Sequence, residues 1–206
     1  MIYNSYQIAD IIGVNVSTVK RWTDSGKLKC HQSVGGHRKF HFHHLTEFLK
    51  DNKETSTNIN INELIGENST LSNAIDNQDY SFLIKYSYEK LISSDADKFI
   101  ALSNSLILKG YKEHIIFDEI LNPTLIKIGD QWVKGKLTIA EEHLASEIIR
   151  KFLSNLNFEY LSKKNKYNAF CFTLTNDKHD MPLNMSESIF NQHGKIKTFN
   201  LGPSLP

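Results

Sequence analysis

Two short stretches carry side chains whose types and spacing could do chemistry. In the first, WVKGKLTIAEEH, Trp132 is followed ten and eleven residues later by Glu142 and His143. Gly135 and Lys136 interrupt the helical pattern between them. Trp132 is therefore expected to end one helix, and the Glu-His pair to lie in the first turns of the next. Thr138 is a candidate N-cap there, with Glu141 three residues on to complete a capping box. An aromatic plate and two polar groups facing each other across a helix–helix junction suit a flat ligand with one polar and one apolar edge. The plain alternative is a Trp packed at a helix end beside a solvated EEH run. In the second stretch, DKHDMP, Asp177 stands two residues before His179. A D-x-H pair alone is a weak signal for a ligating histidine. No nucleophile–base pair and no phosphate loop is legible, which argues against an enzyme.

The elements that position these residues occupy the second half of the chain. Four amphipathic stretches, Tyr80 to Leu91, Asp95 to about Lys109, His114 to about Trp132 and Thr138 to about Leu161, predict an antiparallel four-helix bundle over residues 77–162. Ile139, Leu144, Ile148 and Phe152 are expected to face inward on the last of them. Pro123 should kink the third helix or mark its true start. Residues 163–206 read as a buried parallel strand (Tyr167 to Thr173), loop, helix (Leu183 to Gln192, ended by Gly194), strand (Lys197 to Leu201). That is the opening βαβ of a doubly wound fold, in which ligands sit at the carboxyl ends of the strands, where DKHDMP falls. Residues 53–76, rich in Asn, Ser and Thr, read as a tether, in which Ile59, Ile61, Leu64 and Ile65 could form a transient turn or dock on a neighbour.

The first 52 residues have a different character. The chain of 206 residues has a formal net charge of +1, yet residues 1–50 hold seven Lys/Arg against three Asp/Glu and five of the nine His. A basic excess at one end suggests a nucleic-acid-binding head on a neutral body. A short helix opened by Ser5 and stopped by Gly13, then a second capped by Asn15, predict a helix-turn-helix. Ser17, Thr18, Lys20 and Arg21 fall on or near the outer face of the second helix, where hydroxyls and cations can reach phosphates and base edges. A β-hairpin with a Val34-Gly35-Gly36 turn follows and bears His37, Arg38 and Lys39 on its return arm, as a basic wing does. HFHH lacks a Cys partner at zinc spacing, which argues against a metal there. Cys30 and Cys171 read as reduced thiols. No apolar run approaches a membrane span, and MIYNSYQIAD has no basic n-region of a signal peptide.

These residues carry resemblances. GVNVSTVKRW, the SGKL connector and GGHRKF in that order closely resemble the MerR/excisionase winged helix. Trp, nine residues, then Glu-His resembles the signature of the helical cap of cobalamin-binding modules. DKHDMP resembles the acid-x-His-x-x-Gly loop of cobalamin-binding domains, with Pro182 where the Gly is expected. Together the chain resembles the MerR-type light-responsive repressors (CarH- or LitR-like). Residues 163–206 are expected to supply only the opening part of their C-terminal α/β domain, which needs roughly a hundred residues or more.

The resemblance implies a mainly α protein: a winged helix-turn-helix (1–52), a linker (53–76), a four-helix cobalamin cap (77–162) and a partial α/β cobalamin-binding domain (163–206). It implies adenosylcobalamin bound in the dark. His179 would ligate cobalt from below, with Asp177 holding its other ring nitrogen. Trp132 would cover the upper axial ligand, and Glu142 and His143 would line the same space. It further implies a homo-oligomer, dimer or tetramer, on double-stranded promoter DNA in the cytoplasm, associated with the nucleoid. Light would release the DNA. The alternative is a MerR-like DNA-binding protein whose bundle serves only dimerisation or partner binding.

Overall fold

A computed structural model describes residues 2–52, 59–158, 166–174, 177, 179–192 and 196–203. The chain divides into two compact units, Met1–Leu83 with Ala101–Tyr111, and Ile84–Ile100 with Lys112–Pro206. The fold is mainly α, as expected, with two small sheets.

In the first unit, β1 (Ile2–Tyr3) leads into α1 (Ser5–Ile12) and α2 (Val16–Asp24). Asn4, rather than Ser5, caps α1: its side chain accepts the Tyr6 and Gln7 amides, and Gln7 accepts the Asn4 amide in return. Gly13 ends the helix at φ 74°, a left-handed conformation that costs a residue with a Cβ more than it costs glycine. Asn15 caps α2. Strands β2 (His31–Gln32) and β3 (Arg38–His41) form the hairpin, and β1, not foreseen from the sequence, pairs on the other side of β3. α3 (Phe42–Asp51) closes the head. Ile8, Ile11, Ile12, Val19, Leu28, Phe40 and Leu45 are buried in one core.

The expected tether is the main departure in this unit. Residues 53–58 of it lie outside the described residues, but 59–76 are folded. α4 (Asn62–Ile65) and α5 (Ser69–Asp76) pack with Ile59, Ile61, Leu71 and Ile75 all buried. The Asn60 amide donates to the Ile11 carbonyl at 2.8 Å, and Asn68 caps α5 through the Leu71 amide. Leu71, Ala74 and Ile75 share a helical face. Burying them outweighs the polar composition that suggested a coil. Tyr111 donates to the Ile75 carbonyl at 2.5 Å, and burial pushes its phenol up to about 12.

The second unit takes most of α6 (Tyr80–Ile92), the start of α7 (Ala96–Leu108), and then α8 (Glu113–Ile115), α9 (Asn122–Val133) and α10 (Ile139–Phe158). Between α8 and α9 the backbone widens into a π-helical segment, Ile116–Leu121, with the Asn122 amide bonded to the Phe117 carbonyl. Pro123 sits in the first turn of α9. It has no amide to donate and its ring crowds the preceding turn, so the chain starts a new helix there, as its position suggested. Phe99 and Phe152 meet edge to face with centroids 6.0 Å apart, and Lys127 lies over the Tyr88 ring at 4.4 Å.

β4 (Tyr167–Cys171) and β5 (Ile196–Asn200) pair in parallel, with α11 (Met181–Gln192) between them in sequence. The expectation of a buried strand at Tyr167–Thr173 is corrected: Tyr167 and Phe170 are more than half exposed, and the strand ends at Cys171. Among the described residues β4 has one strand neighbour, too little cover to bury both its faces. Gly194 lies outside the described residues. No described helix is long and apolar enough to cross a membrane.

Candidate functional site

The head carries exposed basic residues on two elements. On α2, Lys20 and Arg21 are exposed and Thr18 is half-buried. Ser17 is exposed too, but its hydroxyl is turned to its own cap and donates to Asn15 Oδ1 at 2.9 Å. On the hairpin, His37 and Lys39 are exposed. Arg38 is different: its side chain is only 19% exposed and its Nη2 lies 2.5 Å from Asp24 Oδ1, at the end of α2. Arg38 therefore stands apart from the other six residues of the expected DNA face.

Four histidines crowd the seam between the hairpin and α3. The rings of His43 and His44 are 4.1 Å apart, and His31 lies 5.3 Å from His41 and 5.1 Å from His44. The His41 amide donates to His44 Nδ1 at 3.1 Å. That bond requires a neutral His44 with its proton on Nε2, which removes it as a metal ligand. Burial, then the neighbouring His43, His31 and His41, lower its pKa to about 4. Among the described residues no group of three His, Cys, Asp or Glu is arranged to hold a metal.

The second constellation is built on α10. The junction before it closes with bonds from the Gly135 amide to the Trp132 carbonyl and from the Lys136 amide to the Gln131 carbonyl. Gly135 adopts φ 67°, the left-handed conformation this helix stop uses. The expected capping box forms: the Thr138 amide donates to Glu141 Oε2 at 2.7 Å and the Glu141 amide to Thr138 Oγ1 at 3.2 Å. The Thr138 amide and hydroxyl hold the Glu141 carboxyl below its ordinary range. One residue on, Glu142 bridges two side chains. One oxygen lies 2.5 Å from His143 Nδ1 and the other accepts Ser146 Oγ at 2.8 Å. The imidazole is thereby oriented with Nε2 directed away from its partner, and it is three-quarters exposed.

The DKHDMP loop builds the same motif again. His179 Nδ1 lies 2.7 Å from Asp177 Oδ1, and the His179 amide donates to the same oxygen at 2.9 Å. The amide first, then the ring, hold the Asp177 carboxyl below its usual range. A carboxylate on Nδ1 fixes the tautomer and leaves the Nε2 lone pair free, the state in which a histidine ligates a metal ion. The His179 side chain is 87% exposed. Pro182 falls in the first turn of α11, a position that tolerates proline.

Two features of this site escaped the sequence reading. Arg150 grips Asp180 through Nε at 3.0 Å and Nη2 at 3.1 Å, tying the histidine-bearing loop to α10. Arg150 lies seven residues after His143, hence on the same helix face, but nothing local announces a partner thirty residues on. Ile139 and Leu144, expected inward, are 60% and 44% exposed, beside Trp132 at 46% and Val133 at 78%. Ile148, Ile149, Phe152 and Leu153 saturate the inner face further along α10. The apolar residues of its first turns are left on the surface around the Glu142–His143 pair. Thus Glu142 and His143 are joined, as are Asp177 and His179, and Arg150 links the second pair to the helix of the first.

Two family models match separate parts of the chain. Residues 2–53 match the helix-turn-helix domain and residues 87–157 match the B12 binding domain. The chain thus carries a helix-turn-helix module followed by a region that matches a B12-binding module. It is 32% identical over 91 residues to the HTH-type transcriptional repressor CarH of Myxococcus xanthus, an alignment covering 44% of this chain and 29% of that protein. Among solved structures it is similar to the monomethylamine corrinoid protein of Methanosarcina barkeri, with a TM-score of 0.49 and 14% identity, covering 61% of this chain and 59% of that one.

Proposed function

We propose that this chain is a repressor that binds double-stranded promoter DNA through its winged head and holds a cobalamin, in the adenosyl form, against α10 and the DKHDMP loop. The observation that carries the reading is the Asp177–His179 pair, with Nδ1 on a carboxylate and Nε2 free, in a chain that opens with a helix-turn-helix. His179 is the residue suited to ligate cobalt, with Asp177 fixing its tautomer. Trp132, Glu142 and His143 line the opposite side, Trp132 and the exposed Ile139 and Leu144 supplying apolar contact. A cobalt–carbon bond that light can break is the chemistry the group supplies when bound. Lys20, Arg21, His37 and Lys39 meet DNA, with Thr18 and Ser17 near base edges. The protein acts without catalysing a reaction, as a homo-oligomer of two or four subunits whose assembly couples ligand state to DNA affinity.

A second reading has one observation in its favour. Pro182 stands where the resembling loop has glycine, and a proline forbids some of the backbone approach that glycine permits. The helical domain would then serve dimerisation or partner binding. One experiment separates the two. The protein is mixed with adenosylcobalamin in the dark, desalted, and its absorption spectrum and elution volume are recorded before and after illumination. Retained cofactor with light-dependent spectrum and assembly supports the sensor. A folded protein that emerges colourless and unchanged in size refutes it.

A further inference from the structure

The wing carries three successive polar residues, His37, Arg38 and Lys39, but β3 assigns them to two faces. Side chains alternate along a strand, so Arg38 shares its face with Phe40 while Lys39 points the other way. Burial follows the alternation: Phe40 is fully buried, Arg38 is 19% exposed in its side chain, and His37 and Lys39 are exposed. Arg38 thus points into the head, where its Nη2 meets Asp24 Oδ1 at 2.5 Å. Its Nε is buried without a hydrogen-bond partner. Asp24 is the last residue of α2, so the guanidinium also sits at the negative end of that helix. The cation has two reasons to stay where it is and no free donor aimed at solvent from Nε.

The geometry points to Arg38 as a positioning residue rather than a phosphate contact: with Asp24 it latches the wing to the C-terminal end of α2 and sets the spacing of the two DNA-reading elements. The proposal rests on the DNA-binding reading of the head. Three other contacts fix the same end of α2 from the opposite element. Trp22 packs on Phe48 of α3 with centroids 4.7 Å apart, and Lys27 lies 5.8 Å from both rings. These anchor α2 to α3. The described contacts give the hairpin tip only its own turn bonds, Gly36 amide to Ser33 carbonyl, Ser33 amide to His37 carbonyl and His37 amide to Ser33 Oγ. Beyond the shared core, the Asp24–Arg38 pair is, among the described residues, the polar side-chain link between α2 and the hairpin. Two elements that enter neighbouring grooves lose affinity when either drifts, even if every phosphate-contacting cation is still present.

Asp24→Asn gives the two roles opposite signs. If Arg38 were a phosphate contact, neutralising Asp24 would free the guanidinium, remove a negative charge near DNA and tighten binding. If the pair is a latch, the same change loosens the wing and weakens binding. Asp24 is 63% exposed, so the variant folds. Binding to a mixed-sequence DNA duplex is measured across a salt series for the wild type, Asp24→Asn, Arg38→Gln and Lys39→Ala, with amide exchange followed at Gln32 and Lys39. The latch predicts about fivefold weaker binding for both Asp24→Asn and Arg38→Gln, with the slope of log affinity against log salt unchanged. Lys39→Ala lowers that slope by about one. Wing amides exchange faster in Asp24→Asn. Tighter binding by Asp24→Asn, or a slope lowered by about one in Arg38→Gln, overturns the proposal. If the wild type fails to bind the duplex at low salt, the DNA-binding reading fails instead, and exchange alone judges the latch: faster exchange upholds it and unchanged exchange refutes it.

Discussion

The head and the C-terminal unit both carry histidines, clustered in the first and scattered in the second, and they do opposite things with them. In the head, His44 gives its Nδ1 to a backbone amide, sits 5% exposed among His31, His41 and His43, and is held neutral. In the DKHDMP loop, His179 gives its Nδ1 to a carboxylate, stands 87% exposed and keeps Nε2 free. The cluster of four, which a count of ligand-type residues would rank first, is a structural seam. The single histidine with one acid is the candidate ligand. What separates them is the partner on Nδ1. An amide donor forces the proton onto Nε2, whereas a carboxylate acceptor draws it to Nδ1 and releases the other nitrogen.

The largest expected effect tests the loop side of this contrast. With adenosylcobalamin as the probe, His179→Ala abolishes the absorption signature of imidazole-ligated cobalt while leaving the far-ultraviolet circular dichroism of the helices intact. Asp177→Asn keeps the imidazole but withdraws the carboxylate, and retention falls about 10- to 100-fold. An unchanged spectrum in His179→Ala would show that the free Nε2 is not used, and the contrast would then reduce to exposure alone.

The head side is tested by pH. The unfolded chain takes up a proton on His44 near the ordinary value of about 6.5, and the folded head does so only at about 4. Between those values the unfolded state binds more protons, so stability is complete above the upper value and declines as pH falls towards the lower one. For this nearly buried ring the span amounts to about 3 kcal/mol. Denaturant midpoints of the head should drop across that window. In His44→Leu the decline should flatten, while stability at neutral pH falls by about 1–3 kcal/mol because the His41 amide loses its acceptor. A wild-type midpoint that stays level from pH 6.5 to pH 4 would break the assignment of a neutral buried His44.

The elements that the sequence disclosed are those with local signals. Asn15, Gly13, Pro123 and the Thr138–Glu141 box each mark a helix boundary by a mechanism that acts within a few residues, and the helices begin or stop there. Both carboxylate–imidazole pairs were legible for the same reason, since the partners are one and two residues apart. What escaped depends on contacts distant in sequence. The segment 59–76 folds because Ile59, Ile61 and Leu71 find cover elsewhere in their unit, which composition cannot report. Arg150 meets Asp180 across thirty residues, and Arg38 looks like part of a basic run until strand alternation turns it inward to Asp24. Ile139 and Leu144 match a buried helical stripe and are exposed, because a stripe gives a direction on the helix and not what lies opposite it.

His143 falls between the two extremes and gives the finest test. Its carboxylate partner is the residue before it, so the pair depends on the helix backbone that sets Glu142 and His143 side by side, with Ser146 on the other oxygen of Glu142. That backbone is the first turn of α10, and its start is fixed by the Thr138–Glu141 box. Thr138→Ala removes the hydroxyl that accepts the Glu141 amide and leaves Glu141 free to accept the residue 138 amide, so half of the box survives. The first turn should lose about 1 kcal/mol, read as about fivefold faster amide exchange at Glu141 and Glu142. Amides further along α10, around Ile149, should exchange as before. Cobalamin retention should fall by less than in Asp177→Asn, because His179 and its partner lie on a loop that Thr138 does not hold. An equal loss in the two variants would mean that both histidines depend on one shared element. In that case the Arg150–Asp180 clamp, which ties the loop to α10, would be the thing that makes them a single site.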